Sequence, residues 1–255
     1  MKPLPRDMRH AWRRTFAVQS LWNYPTMLGA GLTYALLPLL RRIHAGDPPA
    51  LEAAVRRHLD SFNAHPYLSA VAVGALARLE FDGVAEDEIS RFRTALRGPL
   101  GTLGDRTIWA EWRPLCLLIA ITLFGVGVRP LVCVLAFLVP YNIGHLWVRL
   151  WGFRRGWEHG RGVGRLLREF PLERLTDRLW PVTMFLLGAA TVLLGRDIVE
   201  AAGPSAERLP LLIVAGLTAV PAFRWPNRFG RLAIGLLLSI PIIWILLALG
   251  AGWGP

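Results

Sequence analysis

The stretch Gly98-Pro-Leu-Gly-Thr-Leu-Gly-Asp-Arg-Thr-Ile-Trp109 divides the chain into two parts of different character. Three glycines and a proline lead up to Asp105, and an almost uninterrupted apolar sequence begins at Pro114. Glycine lets the backbone turn sharply and approach another group closely. A carboxylate beside an apolar segment is costly unless it has a partner or a function. The stretch therefore predicts a glycine-rich loop with a functional carboxylate at Asp105.

The composition on both sides of this stretch indicates a membrane protein. Of the 255 residues, 53% are hydrophobic, and the mean hydropathy is +0.39, which points away from an ordinary soluble domain. The net charge is +11, from 29 basic and 18 acidic residues. Most arginines border apolar runs, as in cytoplasmic loops of membrane proteins, so we expect the lipid bilayer, and no nucleic acid, as a partner.

Cys116 and Cys133 lie inside apolar runs and are interpreted as small hydrophobic residues.

The sequence predicts an all-α integral membrane protein that begins with an interfacial amphipathic helix over residues 1–25. Within this segment, residues 9–24 mix basic side chains with aromatic ones. Such a mixture suits a helix that lies at the lipid headgroups, with rings at the boundary and arginines reaching outward. The alternative is a solvent-exposed helix of a soluble domain.

The second region, residues 26–112, is predicted to contain re-entrant helical hairpins, a polar helix and the glycine-rich loop. Two apolar runs, residues 27–40 and 67–79, are shorter than the roughly 20 residues that a membrane-crossing helix needs. Each run contains glycine or proline, as expected for broken helices that enter a membrane inside protein. Alternatively, both runs are buried helices of a soluble N-terminal domain. Residues 80–97 are polar and predict a water-exposed helix.

The third region, residues 113–255, is predicted to contain about five transmembrane segments. Their candidate positions are residues 114–128, 130–150, 179–194, 209–223 and 229–249. An arginine-rich loop over residues 149–178 is expected in the cytoplasm by the positive-inside rule. The same count places the N-terminus in the cytoplasm and the C-terminus outside.

Four blocks of sequence, taken in order, carry a resemblance to a known family. They are Gln19-Ser-Leu-Trp-Asn-Tyr24; Arg57-His-Leu-Asp-Ser-Phe-Asn-Ala-His-Pro-Tyr67 with Gly74-Ala-Leu-Ala-Arg-Leu-Glu80; Gly98-Pro-Leu-Gly-Thr-Leu-Gly-Asp105 with Trp109; and Tyr141-Asn142 through Arg149 to Gly156-Trp-Glu-His-Gly160. Over residues 13–165 the chain resembles the enzyme IID subunit of the mannose/fructose/sorbose class of bacterial phosphotransferase sugar permeases.

This resemblance implies a transport subunit of the bacterial inner membrane. It implies that an enzyme IIC membrane subunit completes a channel for a hexose-type sugar, and that IIC–IID pairs form trimers. Separate IIA and IIB components would carry phosphate to the sugar, so this chain is not expected to be an enzyme, and we expect no catalytic residue and no cofactor. The residues agree with this, because the sequence contains no Walker motif and no Cys or His in a motif that marks a phosphate acceptor.

The chain departs from the usual family pattern in three places. Pro25-Thr-Met-Leu28 replaces a charged tetrapeptide, Arg106 stands where serine is usual, and Ala64 stands where threonine is common. These changes are the reason to keep an alternative function, a non-transporting membrane interaction or receptor protein that retains the IID fold. An intramembrane enzyme is disfavoured because the predicted spans contain no set of catalytic side chains.

Five polar residues next to apolar or glycine-rich turns are candidates for the sugar path. They are Asp105, Asn63, Asn23, Asn142 and His65. Carboxylates, amides and imidazoles exchange hydrogen bonds with neighbouring hydroxyl groups, usually beside an apolar wall. The alternative is that these side chains cap helices and satisfy backbone groups at helix ends.

No metal site is expected. His58 and His65 are seven residues apart, but no third ligand is spaced to join them, and Pro66 breaks the helix that they would share.

Overall fold

The computed structural model describes residues 5–169 and 172–202. These residues fall into two compact units. One is drawn from Met1–Trp109 and Asn142–Glu173, and the other from Ala110–Tyr141 and Arg174–Pro255.

The described residues are helical, as the sequence predicted, and contain two isolated β-bridges but no strand. The α-helices are α1 Pro5–Arg14, α2 Gly29–Ile43, α3 Pro48–Leu59, α4 Ser69–Phe81, α5 Glu86–Gly104, α6 Arg113–Gly125, α7 Pro130–His159, α8 Val163–Glu169 and α9 Leu172–Ala202. A π-helix, Asp105–Trp112, joins α5 to α6, and 3₁₀ turns lie at Thr15–Ala17 and Gly160–Gly162.

Local sequence signals explain several helix ends. At the start of α3 the side chain of Asp47 accepts a hydrogen bond from the backbone N–H of Ala50 at 3.0 Å, and Pro48 occupies the first turn, where a missing N–H costs nothing. The first turn of α5 carries three acidic residues that face the positive end of the helix dipole.

Helix α4 lies at the centre of the first unit. Eleven of its 13 residues are buried, and six of those eleven are small: Ser69, Ala70, Ala72, Gly74, Ala75 and Ala77. Small side chains let neighbouring helices approach closely. A Cβ atom built on Gly74 would lie 2.2 Å from the carbonyl oxygen of Phe153 in α7, and one on Gly156 of α7 would lie 2.2 Å from the carbonyl oxygen of Val71. The two helices therefore touch backbone to backbone at these glycines.

A buried ion network surrounds Glu80 at the end of α4. Arg57 of α3 donates to both carboxylate oxygens at 2.9 to 3.0 Å, and His58 Nε2 lies 2.8 Å from Oε1. His44, just beyond α2, reaches Oε2 at 3.4 Å. The side chains of His58, Glu80 and Arg57 are 0%, 2% and 7% exposed.

The protonation states in this network follow from burial and charge. Burial lowers the pKa of His58, although its hydrogen bond to Glu80 opposes the shift, so we assign a neutral ring that donates from Nε2. Burial alone would raise the pKa of Glu80, but the hydrogen bond from His58 and the charge of Arg57 hold it below its usual value. Glu80 is therefore ionised and joins α3 and α4 through its charge.

Three boundary predictions are wrong. The predicted glycine-rich loop is helical, because residues 98–104 end α5 and the π-helix follows directly. The N-terminal helix ends at Arg14 instead of continuing towards residue 25, and Met27 has a φ of 54°, which a helix does not allow. The predicted arginine-rich loop over residues 149–178 is also largely helical. Arginine is a good helix former, and Arg155 pairs with Glu158 one turn later at 3.0 Å.

The two short apolar runs correspond to α2 and α4, both packed in the core of the first unit. Their buried positions agree with a short helix inside protein. Whether they enter the bilayer remains a prediction.

Three helical segments among the described residues have the length and composition to cross a membrane. They are Glu86–Gly125, Pro130–Glu169 and Leu175–Gly195. They contain or overlap the first three predicted spans, and the predicted spans at residues 209–223 and 229–249 lie outside the described residues.

Replacing Glu80 with Gln should lower the free energy of unfolding by up to about 3–5 kcal/mol, because the Arg57 guanidinium loses its buried counter-charge and keeps only the exposed Glu86 carboxylate at 2.8 Å. The measurement is unfolding in mild detergent. Glu52→Gln is the matched control, since Glu52 pairs with Arg56 at 2.7 Å but the side chains are 63% and 77% exposed. That control should change the free energy by less than about 0.5 kcal/mol, and equal effects of the two substitutions would contradict a structural role for the buried charge.

Candidate functional site

Asn23 closes a tight turn ahead of α2. Its Oδ1 accepts hydrogen bonds from the backbone N–H and the hydroxyl of Thr26, both at 2.9 Å, and its Nδ2 donates to the Leu21 carbonyl at 3.3 Å. The backbone N–H of Met27 donates to the Asn23 carbonyl at 2.8 Å. Because both ends of the amide are used within the turn, the geometry favours the capping role for Asn23.

This turn is joined to the segment that contains Asn63. The N–H of Phe62 donates to the Thr26 carbonyl at 3.0 Å, and the N–H of Leu28 donates to the Phe62 carbonyl at 2.8 Å. Phe62 is fully buried, whereas the next residue, Asn63, is exposed. Phe62 thus anchors the turn, and Asn63 presents its amide at the surface beside it.

His65 packs the segment that contains Asn63 against the end of α5. A Cβ atom built on Gly104 would lie 2.2 Å from the Cβ of His65, so only glycine allows this approach. The Nδ1 of His65 accepts a hydrogen bond from the backbone N–H of Tyr67 at 3.2 Å, and its ring meets Trp109 edge to face with centroids 4.8 Å apart. Burial, followed by the charge of Arg149 and the nearby His145, lowers the pKa of His65 to about 4. The ring is therefore neutral at physiological pH and only 1% exposed.

Asp105 follows Gly104 directly and is exposed at the first position of the π-helix. Trp109, one turn later, is 39% exposed. The segment at Asn63 and the start of the π-helix therefore meet through the contact of His65 with Gly104. Asn63, Asp105 and Trp109 lie in the segments that this contact joins, and we call these three exposed residues the polar rim.

Asn142 lies in α7. Near it, the structure shows a second cluster of polar and aromatic side chains that the sequence did not predict. His145 stacks on Tyr67 with ring centroids 3.9 Å apart and an interplanar angle of 16°. Arg149 donates from Nε to His145 Nε2 at 2.7 Å, lies 4.8 Å above the Tyr67 ring, and also donates to the Thr15 carbonyl. Asn142 is exposed one turn before His145.

Sequence reasoning therefore missed Tyr67, His145 and Arg149 as a set. A signal was present, because Asn142, His145 and Arg149 follow one another at spacings of three and four residues within an apolar helix and must share one face. Tyr67 has no such signal, since it comes into contact with α7 only through the fold.

The polar rim has the groups needed to bind a neutral, hydroxyl-rich ligand. An exposed amide and an exposed carboxylate offer both donors and acceptors, and a half-exposed indole offers an apolar wall. Over residues 5–169 and 172–202, no group of three or more His, Cys, Asp or Glu side chains is arranged to hold a metal ion.

The chain is similar to known proteins of one family. A family model described as the IID component of the mannose/fructose/sorbose family of phosphotransferase systems matches residues 5–194. The chain is 28% identical over 190 residues to the mannose-specific EIID component of Escherichia coli K12, covering 72% of this chain and 66% of that protein. It is 26% identical over 175 residues to the fructose permease IID component of Bacillus subtilis, covering 66% of this chain and 62% of that protein. The matched region thus spans slightly less than two thirds of the length of these relatives.

Two solved structures are also similar. One, titled as the structure of a membrane protein, matches with a TM-score of 0.65 and 27% identity, covering 75% of this chain and 71% of the other. A chain of the mannose transporter ManYZ in complex with microcin E492 matches with a TM-score of 0.60 and 22% identity, covering 98% of both chains. The second match shows likeness of fold.

Replacing Gly104 with Ala should displace His65 and the Asn63 turn and lower the free energy of unfolding by about 1–3 kcal/mol, the usual range for overpacking. Gly101→Ala is the matched control on the same helix, because the nearest atom to its added Cβ is the Ala64 Cα at 3.9 Å. The control should be neutral or stabilising by up to about 1 kcal/mol. Unfolding in detergent measures both variants, and equal stability would show that the contact of Gly104 with His65 is not required.

Proposed function

Since the chain belongs to the IID components of the mannose/fructose/sorbose phosphotransferase family, we propose that it is the IID membrane subunit of a sugar permease. With a IIC subunit it forms the channel that moves a hexose-type sugar across the bacterial inner membrane. Separate IIA and IIB components phosphorylate that sugar, so this chain has no catalytic residue. The assembly is a trimer of IIC–IID pairs.

The exposed face of α7 supports a partner or lipid around this helix. Large apolar side chains that are 43% to 69% exposed follow one another along it: Leu131, Val132, Val134, Leu135, Leu138, Val139, Ile143, Leu146 and Trp147. An apolar surface of this extent is not stable in water and requires a bilayer or another apolar protein surface to cover it.

The polar rim supports a role in sugar handling. Asp105 follows Gly104, whose close approach to His65 fixes the backbone from which the exposed carboxylate extends. We assign Asp105, Asn63 and Asn142 to the translocation path, and we assign Asn23 and His65 to holding the turns that present Asn63 and Asp105.

The charge distribution supports a cytoplasmic position for residues 149–178 and for the N-terminus. Arginines outnumber acidic residues in this segment, with eight against four, and such an excess stays on the cytoplasmic side. The C-terminus is then outside.

The experiment that tests the function is a mild-detergent pulldown of the tagged chain from its own host, followed by mass spectrometry. Recovery of a IIC-like membrane protein in similar amount is the expected result. Recovery of the chain alone would contradict the permease and favour a non-transporting interaction or receptor protein with the IID fold.

Replacing Asp105 with Asn should reduce uptake of the transported sugar by about tenfold or more, which corresponds to losing one hydrogen bond to a charged group. Uptake of labelled mannose, fructose and sorbose is measured in cells that contain all components, and the pulldown shows whether the complex still assembles. Asp87→Asn is the matched control, because Asp87 pairs with Arg91 at 2.6 Å on the exposed face of α5, the helix that precedes the π-helix, and it should leave uptake unchanged. Loss of the complex in the Asp105 variant would show a structural role for Asp105 instead.

A further inference from the structure

A cavity between the start of the chain and the end of α2 lies outside the polar rim. Its volume is about 320 Å³, at the lower end of the range for small-molecule sites. It is lined by Asp7, His10, Arg14, Pro38, Arg41 and Arg42. We call it the α1–α2 pocket.

The lining of the α1–α2 pocket is strongly basic. Three guanidinium groups and one imidazole face a single carboxylate, so the walls have a net charge of at least two positive units. Two different helices contribute the arginines, since Arg14 ends α1 while Arg41 and Arg42 lie in the last turn of α2. Like charges repel, and bringing them together requires something negative to compensate them.

Arg14 is held in a defined position, and Arg42 has an unsatisfied donor. Arg14 donates to the Tyr34 carbonyl at 3.2 Å, and its guanidinium lies 4.4 Å above the Tyr34 ring. The Nε of Arg42 is buried and has no hydrogen-bond acceptor among the residues that the structure describes. A buried donor without an acceptor is costly, so turning the Arg42 guanidinium towards an acceptor in the pocket would remove that cost.

The dipole of α2 explains only part of this arrangement. Basic residues in the last turn of a helix stabilise it, which accounts for Arg41 and Arg42 on α2. The dipole of α1 accounts in the same way for Arg14, which lies in the last turn of that helix. Neither dipole accounts for the meeting of the two helix ends at one pocket or for the unsatisfied Nε of Arg42.

We propose that the α1–α2 pocket binds a phosphate group. Phosphate offers several acceptor oxygens and a charge that matches the forked donors of arginine. Two sources share this chemistry, the headgroup of an anionic lipid and a free phosphate ion. This site goes beyond the proposed transport function, which does not use these residues.

The test measures lipid retention by native mass spectrometry of the full chain purified in detergent. Phosphatidylglycerol, which is anionic, and phosphatidylcholine, whose phosphate is neutralised by its own ammonium group, are added in equal amounts. The wild-type chain should retain phosphatidylglycerol preferentially, and R41Q/R42Q should lose that retention by about tenfold or more, since hydrogen bonds between charged groups are removed. The control R56Q/R91Q removes the same charge from side chains that are 77% and 75% exposed, and it should behave as wild type.

A second variant separates binding from folding. R41K/R42K keeps both charges, so it should keep more phosphatidylglycerol than R41Q/R42Q. Equal loss in both pocket variants, or unchanged retention in R41Q/R42Q, would overturn the proposal.

Competition with inorganic phosphate distinguishes the two sources. If millimolar inorganic phosphate displaces the retained lipid from the wild-type chain, the pocket takes free phosphate. If the lipid stays bound, the headgroup is the ligand. Binding of neither ligand to the wild-type chain would also overturn the proposal.

Discussion

Glu80 is a buried negative charge, and the first unit is arranged to neutralise it. A carboxylate that is 2% exposed must have cationic or donor partners, because an unpaired charge in a protein interior is strongly unfavourable. Arg57, His58 and His44 supply these partners from α3 and from the end of α2, so the charge fixes how three helices meet. Arg93 of α5 extends the arrangement by donating to the carbonyls of His58 and Asp60 at the end of α3. The carbonyls of a helix end are thereby satisfied without water.

The position of the polar rim depends on the same arrangement. The chain leaves α3 at Asp60 and reaches Phe62, whose backbone bonds to Thr26 and Leu28 and whose ring lies under the Arg93 guanidinium at 5.6 Å. The next residues are exposed Asn63 and buried His65, which contacts Gly104. A change in how α3 docks would therefore move Asn63 relative to Asp105. Stability and the proposed sugar path are thus coupled through a few backbone hydrogen bonds.

The local pattern of apolar residues predicted the all-α fold class, the short helices α2 and α4, and the first three candidate membrane-crossing segments. Each of these depends on apolar residues within one segment of the sequence. It failed at the stretch around Gly104. Glycine and proline favour a loop when only neighbours are considered, but here glycine is needed because His65 lies against the helix, and His65 comes from a distant part of the sequence. Tyr67 was missed for the same reason, because its contacts with His145 and Arg149 of α7 exist only in the folded chain. Asp105, Asn63 and Asn142 could be proposed from the sequence because polar residues beside apolar runs stand out there, and their role on a sugar path stays a prediction.

The glycines between α4 and α7 have a consequence for sequence variation among relatives. At Gly74 and Gly156 the atoms that an added methyl group would strike belong to the backbone, which every amino acid has. A substitution at the contacting position changes only a side chain, so it cannot relieve a clash with the backbone. We therefore expect glycine to be retained at position 74 and at position 156, each regardless of the residue at the other. At Gly152 the nearest atom is instead the Cγ2 of Val71, at 2.8 Å. A smaller residue at position 71 would make room there, so positions 71 and 152 are free to change together over evolutionary time.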